Sequence, residues 1–153
     1  ANAGILKRIK KQETTEDFTK AINLADKHKI LCGGFFIFGF PGETKETMLE
    51  TVNFAKNSKL SIAMFNVLEI LPGSELWKDL NYKFDRTNID NPYSQPRYLP
   101  KNLTAEDLIK YQRLALRKFY FRPKIFLKLL PFMRLSPVLY LFERLFKKVK
   151  LNI

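Results

Sequence analysis

The stretch most capable of chemistry runs from Gly33 to Thr44, Gly-Gly-Phe-Phe-Ile-Phe-Gly-Phe-Pro-Gly-Glu-Thr. Gly39 closes an apolar run, and a residue without a Cβ lets a ligand approach the backbone where a strand leaves its sheet. Pro41 and Gly42 follow as a stiff and then a permissive turn step. The amides opening the next helix form an electropositive rim suited to an anionic group. In α/β folds, this mouth at the carboxyl ends of the strands is where ligands bind. A second apolar run ends the same way, at Leu71-Pro72-Gly73-Ser74. The stretch lacks the Gly-Lys-Ser/Thr close of a P-loop and the spacing of a dinucleotide Gly-x-Gly-x-x-Gly, so neither nucleotide fold is supported. On loop chemistry alone, an ordinary strand-to-helix connection accounts for it equally well.

The single reactive side chains read as structural. Cys32 enters an apolar strand with no second cysteine in the chain, the setting of a small inert core residue. His28 falls at a helix end, where a cation is favoured, so it reads as a surface capping residue. Glu43 is open to two roles: accepting from a ligand amino group at the mouth, or stabilising the helix start through its dipole, the role favoured. Glu69, a charge in an apolar run, belongs at a strand end or against a polar cavity, where it becomes a substrate-contact candidate.

These groups need a scaffold, and the elements can be read from periodicity. Thr14-Thr15-Glu16-Asp17 is a capping box, and Phe18, Ala21, Ile22 and Ala25 stripe a helix to about His28. Ile30 to Phe38 reads as a strand buried on both faces, as in parallel sheets. A helix then begins near Glu43 or Thr44 and runs to about Asn57; a second strand spans Ser61 to Ile70, and Ser74 caps a short helix. The alternation predicts parallel β/α units. A Pro/Asn-rich loop follows over 81–103, and Thr104 to Asp107 repeats the capping logic for a helix striped by Leu108, Tyr111, Ala115 and Phe119. Pro123 and Pro131 bracket a short helix, and Ser136-Pro137 starts a last one.

The 153 residues hold 27 Lys plus Arg against 15 Asp plus Glu, a net charge of +12, and 46% hydrophobic residues, enough for a packed core. Residues 101–153 hold 13 basic and three acidic side chains, so the last third carries +10 of the excess. That asymmetry separates a core from a basic extension over 104–153. The longest uncharged stretch of this apolar third, Leu135 to Phe142, is far short of the ~20 residues a spanning helix needs. The single cysteine and the lack of a secretory signal pattern point to a reducing, cytoplasmic setting. A first residue Ala1, already inside a helical pattern of Ile5, Leu6 and Ile9, reads as a fragment.

Taken together, Leu6-Lys7-Arg8-Ile9-Lys10-Lys11, Gly34 to Thr44, Asn53-Phe54-Ala55-Lys56 and Leu71-Pro72-Gly73-Ser74-Glu75-Leu76 resemble the second half of a radical S-adenosylmethionine (SAM) catalytic domain. The closest branch is the one whose members often carry a cobalamin-binding domain. The resemblance covers residues 1–80, and the basic tail through Leu114 to Pro123 is similar to the helical extension that ends such proteins. It implies the later β/α units of a partial (β/α) TIM-like barrel. It also implies a four-iron four-sulfur (4Fe-4S) cluster that donates an electron to SAM and releases a 5′-deoxyadenosyl radical, with cobalamin as an optional further cofactor. By motif, Ile37, Gly39, Phe40 and Pro41, and with them Leu71 and Pro72, contact SAM. Two departures stand out. Relatives often read Thr-Pro-Tyr-Pro-Gly-Thr where this chain has Glu69-Ile70-Leu71-Pro72-Gly73-Ser74, and the cluster-binding Cys-x-x-x-Cys-x-x-Cys is absent.

The expectation is therefore a C-terminal fragment of a radical SAM enzyme, inactive alone, that lines part of the SAM and substrate cavity. The resemblance implies a small-molecule or lipid-like substrate and a protein reductant for the cluster. The alternative is a noncatalytic interaction module that attaches to an anionic membrane surface through its basic aromatic tail. Leu139, Phe142, Phe146 and Val149 at helical spacing fit a helix packed on the barrel, or peripheral contact at the inner membrane surface. Nucleic acid is disfavoured, since no base-stacking motif accompanies the charge.

Overall fold

A computed structural model of the protein describes residues 1–81 and 96–129. Within these residues the order is α1 (Ala3–Arg8), α2 (Thr15–Lys27), β1 (Gly33–Phe38), α3 (Lys45–Asn57), β2 (Ile62–Val67), α4 (Glu75–Asp79), α5 (Ala105–Tyr120) and α6 (Pro123–Leu129). The predicted caps form. Thr14, Thr44 and Thr104 each accept from the third helical amide, and Asp17, Thr47 and Asp107 reach back to the capping amide. The Ser74 side chain accepts from the Trp77 amide and starts α4. The last expected helix, from Ser136-Pro137, and most of the Pro/Asn-rich loop lie outside the described residues.

The two strands pair in parallel, Gly33 opposite Ile62 through Phe38 opposite Val67. Parallel strands cannot be joined by a hairpin, and α3 makes the crossover. One face of the sheet, with Phe36, Phe38, Ala63 and Phe65, packs on helices that contribute Met48, Val52, Ala55, Leu108, Ala115 and Phe119. Phe38, Met48 and Phe119 are fully buried, each contributing about 1.5–3 kcal/mol through area removed from water. The aromatic rings run in series: Phe36 stacks on Phe65 at 5.0 Å, Phe65 meets Phe119 edge-on, and Phe119 meets Tyr120 edge-on at 4.9 Å.

Among the described residues this establishes an α/β architecture with one parallel β/α/β crossover; two strands alone do not make a barrel. Both strands are shorter than their apolar runs: Ile30 to Cys32 and Leu68 to Ile70 lie outside the paired register, although the Cys32 carbonyl and the Leu68 amide still bond across to Ser61 and Phe38. The expected burial of β1 on both faces is not found. Phe35 is 75% exposed, and Ile37, Ile62 and Met64 are exposed beside it, since the described helices cover only the opposite face.

α5 is built into the same core as α3. The Tyr120 hydroxyl donates to the Ala63 carbonyl at 2.9 Å and accepts from the Ala63 amide at 3.2 Å, while Gln112 donates to the Phe65 carbonyl at 2.7 Å. These side chains occupy the backbone groups on the outer edge of β2. Lys45 pairs with Asp107 at the amino ends of α3 and α5, and Arg122 reaches the Lys56 and Ser58 carbonyls at their carboxyl ends, so the two helices run parallel. Arg122 also donates to the Phe119 carbonyl at 2.9 Å, and its guanidinium lies 4.1 Å from the Phe119 ring centroid. Arg122→Ala removes a charged donor from several carbonyls and its cover from Phe119. It is expected to cost about 2–3 kcal/mol in urea unfolding, with Arg122→Lys recovering only part.

Candidate functional site at the strand mouths

The carboxyl ends of β1 and β2 lie side by side, with the Leu68 amide donating to the Phe38 carbonyl at 2.7 Å. Past Phe38 the chain turns at once. Gly39 has φ +100° and Gly42 φ +83°, the left-handed region where an L side chain is strained. Gly39 needs its glycine for this torsion and not for space, since an added Cβ would meet only Leu108 and Leu68 at ordinary contact distance. Gly42 likewise needs it for the torsion; a Cβ there would also displace the flexible Arg8 guanidinium, which reaches from α1 to donate to the Pro41 carbonyl at 3.2 Å.

Glu43 holds this turn. Its carboxylate, on a residue only 3% exposed, accepts from the Gly39 amide at 2.5 Å and from the Phe40 amide at 3.1 Å, and the Glu43 amide donates to the Phe40 carbonyl at 3.0 Å. Burial pushes its carboxyl above the ordinary value of 4.5, and the two amides oppose that rise. The structural role assigned to Glu43 is thus realised, but through backbone amides behind it in sequence.

The turn commits several of the amides expected to form an electropositive rim. Gly39 and Phe40 give their amides to Glu43, and Thr44 and Thr47 give theirs to each other's hydroxyls. A short acidic and hydroxyl-rich segment caps itself before an external anion can.

Of the residues singled out, Ile37 points to the open face of the sheet and is 41% exposed. Gly39 is buried, and Phe40 and Pro41 are half-buried in the same turn. Leu71 and Pro72 lie past the end of β2 and are exposed, with the Ser74 amide donating to the Leu71 carbonyl at 3.2 Å. Sequence reasoning missed Asn66. It pairs in register with Ile37 and sets a half-buried carboxamide into a face otherwise formed by Phe35, Ile37, Ile62 and Met64. Its polarity within the run Ile62-Ala63-Met64-Phe65-Asn66-Val67 was the available signal. Glu69 lies just beyond the strand, as expected, where it pairs with Arg97 at 3.0 Å, both side chains under one-fifth exposed. Cys32 is half-buried against the core, and His28 is the exposed C-cap of α2. A cleft of about 500 Å³ is bounded by α1, α2, β1 and the start of α3, lined among others by Ile5, Ile9, Phe18 and Phe36.

The arrangement offers an apolar wall with one carboxamide, suited to a flat, weakly polar ring such as a purine. The Gly39 and Phe40 amides are committed to Glu43 and are not offered to a ligand carboxylate. With Cys32 the sole cysteine in the chain and no cluster of three His, Cys, Asp or Glu among the described residues, these residues do not fit an iron–sulfur cluster. No helix among them is long and apolar enough to cross a membrane.

No family model matches the chain. It is 33% identical over 137 residues to an uncharacterized methyltransferase of Pyrococcus horikoshii, an alignment covering 84% of this chain and 28% of that protein. It is 25% identical over 118 residues to a bacteriochlorophyllide d C-12(1)-methyltransferase of Chlorobaculum tepidum, covering 73% and 26%. It is 26% identical over 121 residues to an anaerobic magnesium-protoporphyrin IX monomethyl ester cyclase of Rubrivivax gelatinosus, covering 75% and 22%. The chain thus has homologues named as enzymes, and it spans about a quarter of their length.

Glu43→Ala would leave the Gly39 and Phe40 amides without an acceptor and is expected to destabilise by about 3 kcal/mol in chemical denaturation. The pH dependence has a definite sign. A carboxyl raised on folding binds its proton more tightly in the native state, so its contribution is full below the unfolded value near 4.5 and is lost as pH rises through the higher folded value. Glu43→Gln should flatten that segment of the stability–pH curve; an unchanged slope would show that Glu43 does not titrate between the two states.

Proposed function

We propose that this chain is the C-terminal part of a radical SAM enzyme and that it forms one wall of the SAM and substrate cavity. The observation that carries the reading is the open apolar face of the parallel strands, with Ile37 beside Asn66, running into the Glu43-held turn at Gly39 and Phe40. In this reading Ile37 and Phe40 press on the adenosine portion of SAM, Asn66 hydrogen-bonds its polar edge, and Gly39 supplies the positive-φ turn that sets Phe40 at the mouth. Pro41, Leu71 and Pro72 border the same mouth. SAM, when bound, supplies an activated carbon–sulfur bond. The names of the relatives, methyltransferase twice and cyclase once, support SAM as the shared cofactor.

The strands belong, in this proposal, to a partial barrel. Tyr120 and Gln112 already occupy the outer edge of β2, so further strands add beside β1, where the cleft bounded by α1 and α2 lies. The 4Fe-4S cluster and any cobalamin are then held by other parts of the protein, since this chain lacks the thiolates a cluster requires.

Two comparisons test this. A longer protein from a reading frame that contains this sequence and a Cys-x-x-x-Cys-x-x-Cys motif, reconstituted anaerobically with iron, sulfide and reductant, is expected to convert SAM to 5′-deoxyadenosine. In it, Ile37→Asp should raise the SAM concentration for half-saturation at least tenfold. The 153-residue chain treated identically should give no 5′-deoxyadenosine. Turnover by the short chain, or an Ile37→Asp protein that saturates normally, would overturn the assignment.

A further inference from the structure

The outer surface of α5 and α6 takes no part in the site above, and its composition is one-sided. From Leu108 to Leu129 the sequence holds seven Lys or Arg and no Asp or Glu. Two of the seven are turned to internal work, Arg122 on the carbonyls at the end of α3 and Lys128 with Asp26 at 3.1 Å. The other five, Lys110, Arg113, Arg117, Lys118 and Lys124, are exposed. Lys110, Arg113 and Arg117 recur at spacings of three and four, which places them along one stripe of α5. Phe121 continues that stripe and is 59% exposed, and Leu127 on α6 is 66% exposed.

A solvated helix face ordinarily mixes charges of both signs. Here a run of cations leads to two protruding apolar side chains. They sit at the end of the molecule remote from the strand mouths, because Tyr120 bonds Ala63 near the start of β2 and Arg122 reaches back to the carbonyls preceding it.

We propose that this surface docks on an anionic lipid bilayer, with the α5 cations on the headgroups and Phe121 and Leu127 entering the acyl boundary. Charge complementarity selects the partner: an anionic surface matches a cationic stripe, and an interfacial layer accommodates both a ring and a branched alkyl group. A single-stranded nucleic acid matches the charge but not Leu127, which offers no ring on which a base can stack. The proposal does not depend on the enzymatic reading.

The test is co-sedimentation of the full 153-residue chain with vesicles of phosphatidylcholine alone and of phosphatidylcholine mixed with phosphatidylglycerol. Binding is expected to the mixed vesicles only, and to weaken with salt. Lys110→Gln, Arg113→Gln and Arg117→Gln combined should weaken partitioning on the order of a hundredfold. Phe121→Ser with Leu127→Ser should weaken it at fixed salt, with circular dichroism verifying that each variant folds. Both sets leave residues 130–153 untouched, so vesicle binding that survives them unchanged would overturn the proposal. Failure of the unmodified chain to sediment at low salt would do the same. So would binding of a single-stranded oligonucleotide, abolished by the charge variant but not by the Phe121 and Leu127 variant, in a chain that ignores vesicles.

Discussion

The hydroxyl of Tyr120 takes both a donor and an acceptor from Ala63, and this single contact decides where the sheet ends. A parallel strand exposes half its backbone groups on each side, and each needs a partner if water is excluded. β1 serves one side of β2; Tyr120 and Gln112 serve the other. Once α5 is anchored in that way, its amino end falls beside α3, where Asp107 meets Lys45, and its carboxyl end delivers Arg122 to the carbonyls closing α3. The aromatic series from Phe36 to Tyr120 fills the space these anchors enclose.

The mouth of the strands depends on that frame and adds a constraint of its own. Two glycines with positive φ and a proline bring the chain from β1 into α3 within six residues, leaving amides pointing inward at Gly39 and Phe40. Glu43 satisfies both at the cost of burying a carboxylate, and the balance appears as a carboxyl raised by desolvation yet restrained by the hydrogen bonds it accepts. A turn tied down internally presents a defined apolar contour instead of an adaptable anion site. The neighbouring face, where Ile37 meets Asn66, is then the part left to recognise a ligand.

Much of this was legible from local chemistry. Thr14, Thr44, Ser74 and Thr104 marked four helix starts because a capping bond spans three residues and is written in that spacing. The Gly39 to Gly42 turn was legible for the same reason. The strand limits were not, since apolarity reports burial and not pairing: Leu68 and Ile70 are buried without being in β2. The exposure of Phe35 could not be read from a run of apolar letters that suits either one covered face or two. Nor could the roles of Gln112, Tyr120 and Arg122, which join atoms 47 to 66 residues apart in the chain. In the mouth, Gly39 and Phe40 were visible as a turn, whereas the fate of their amides depended on which carboxylate folded back.

The unequal edges of the sheet bear on how this polypeptide behaves in a crowded cell. Unpaired strand edges are templates for aggregation, and proteins commonly shield them with side chains, bulges or charges. Among the described residues the shield is one-sided. The outer edge of β2 is occupied by α5 and cannot recruit a foreign strand, while β1 keeps an apolar run beside a cleft. Among the described residues, strand addition therefore has one edge open to it, the side of β1 that borders the cleft.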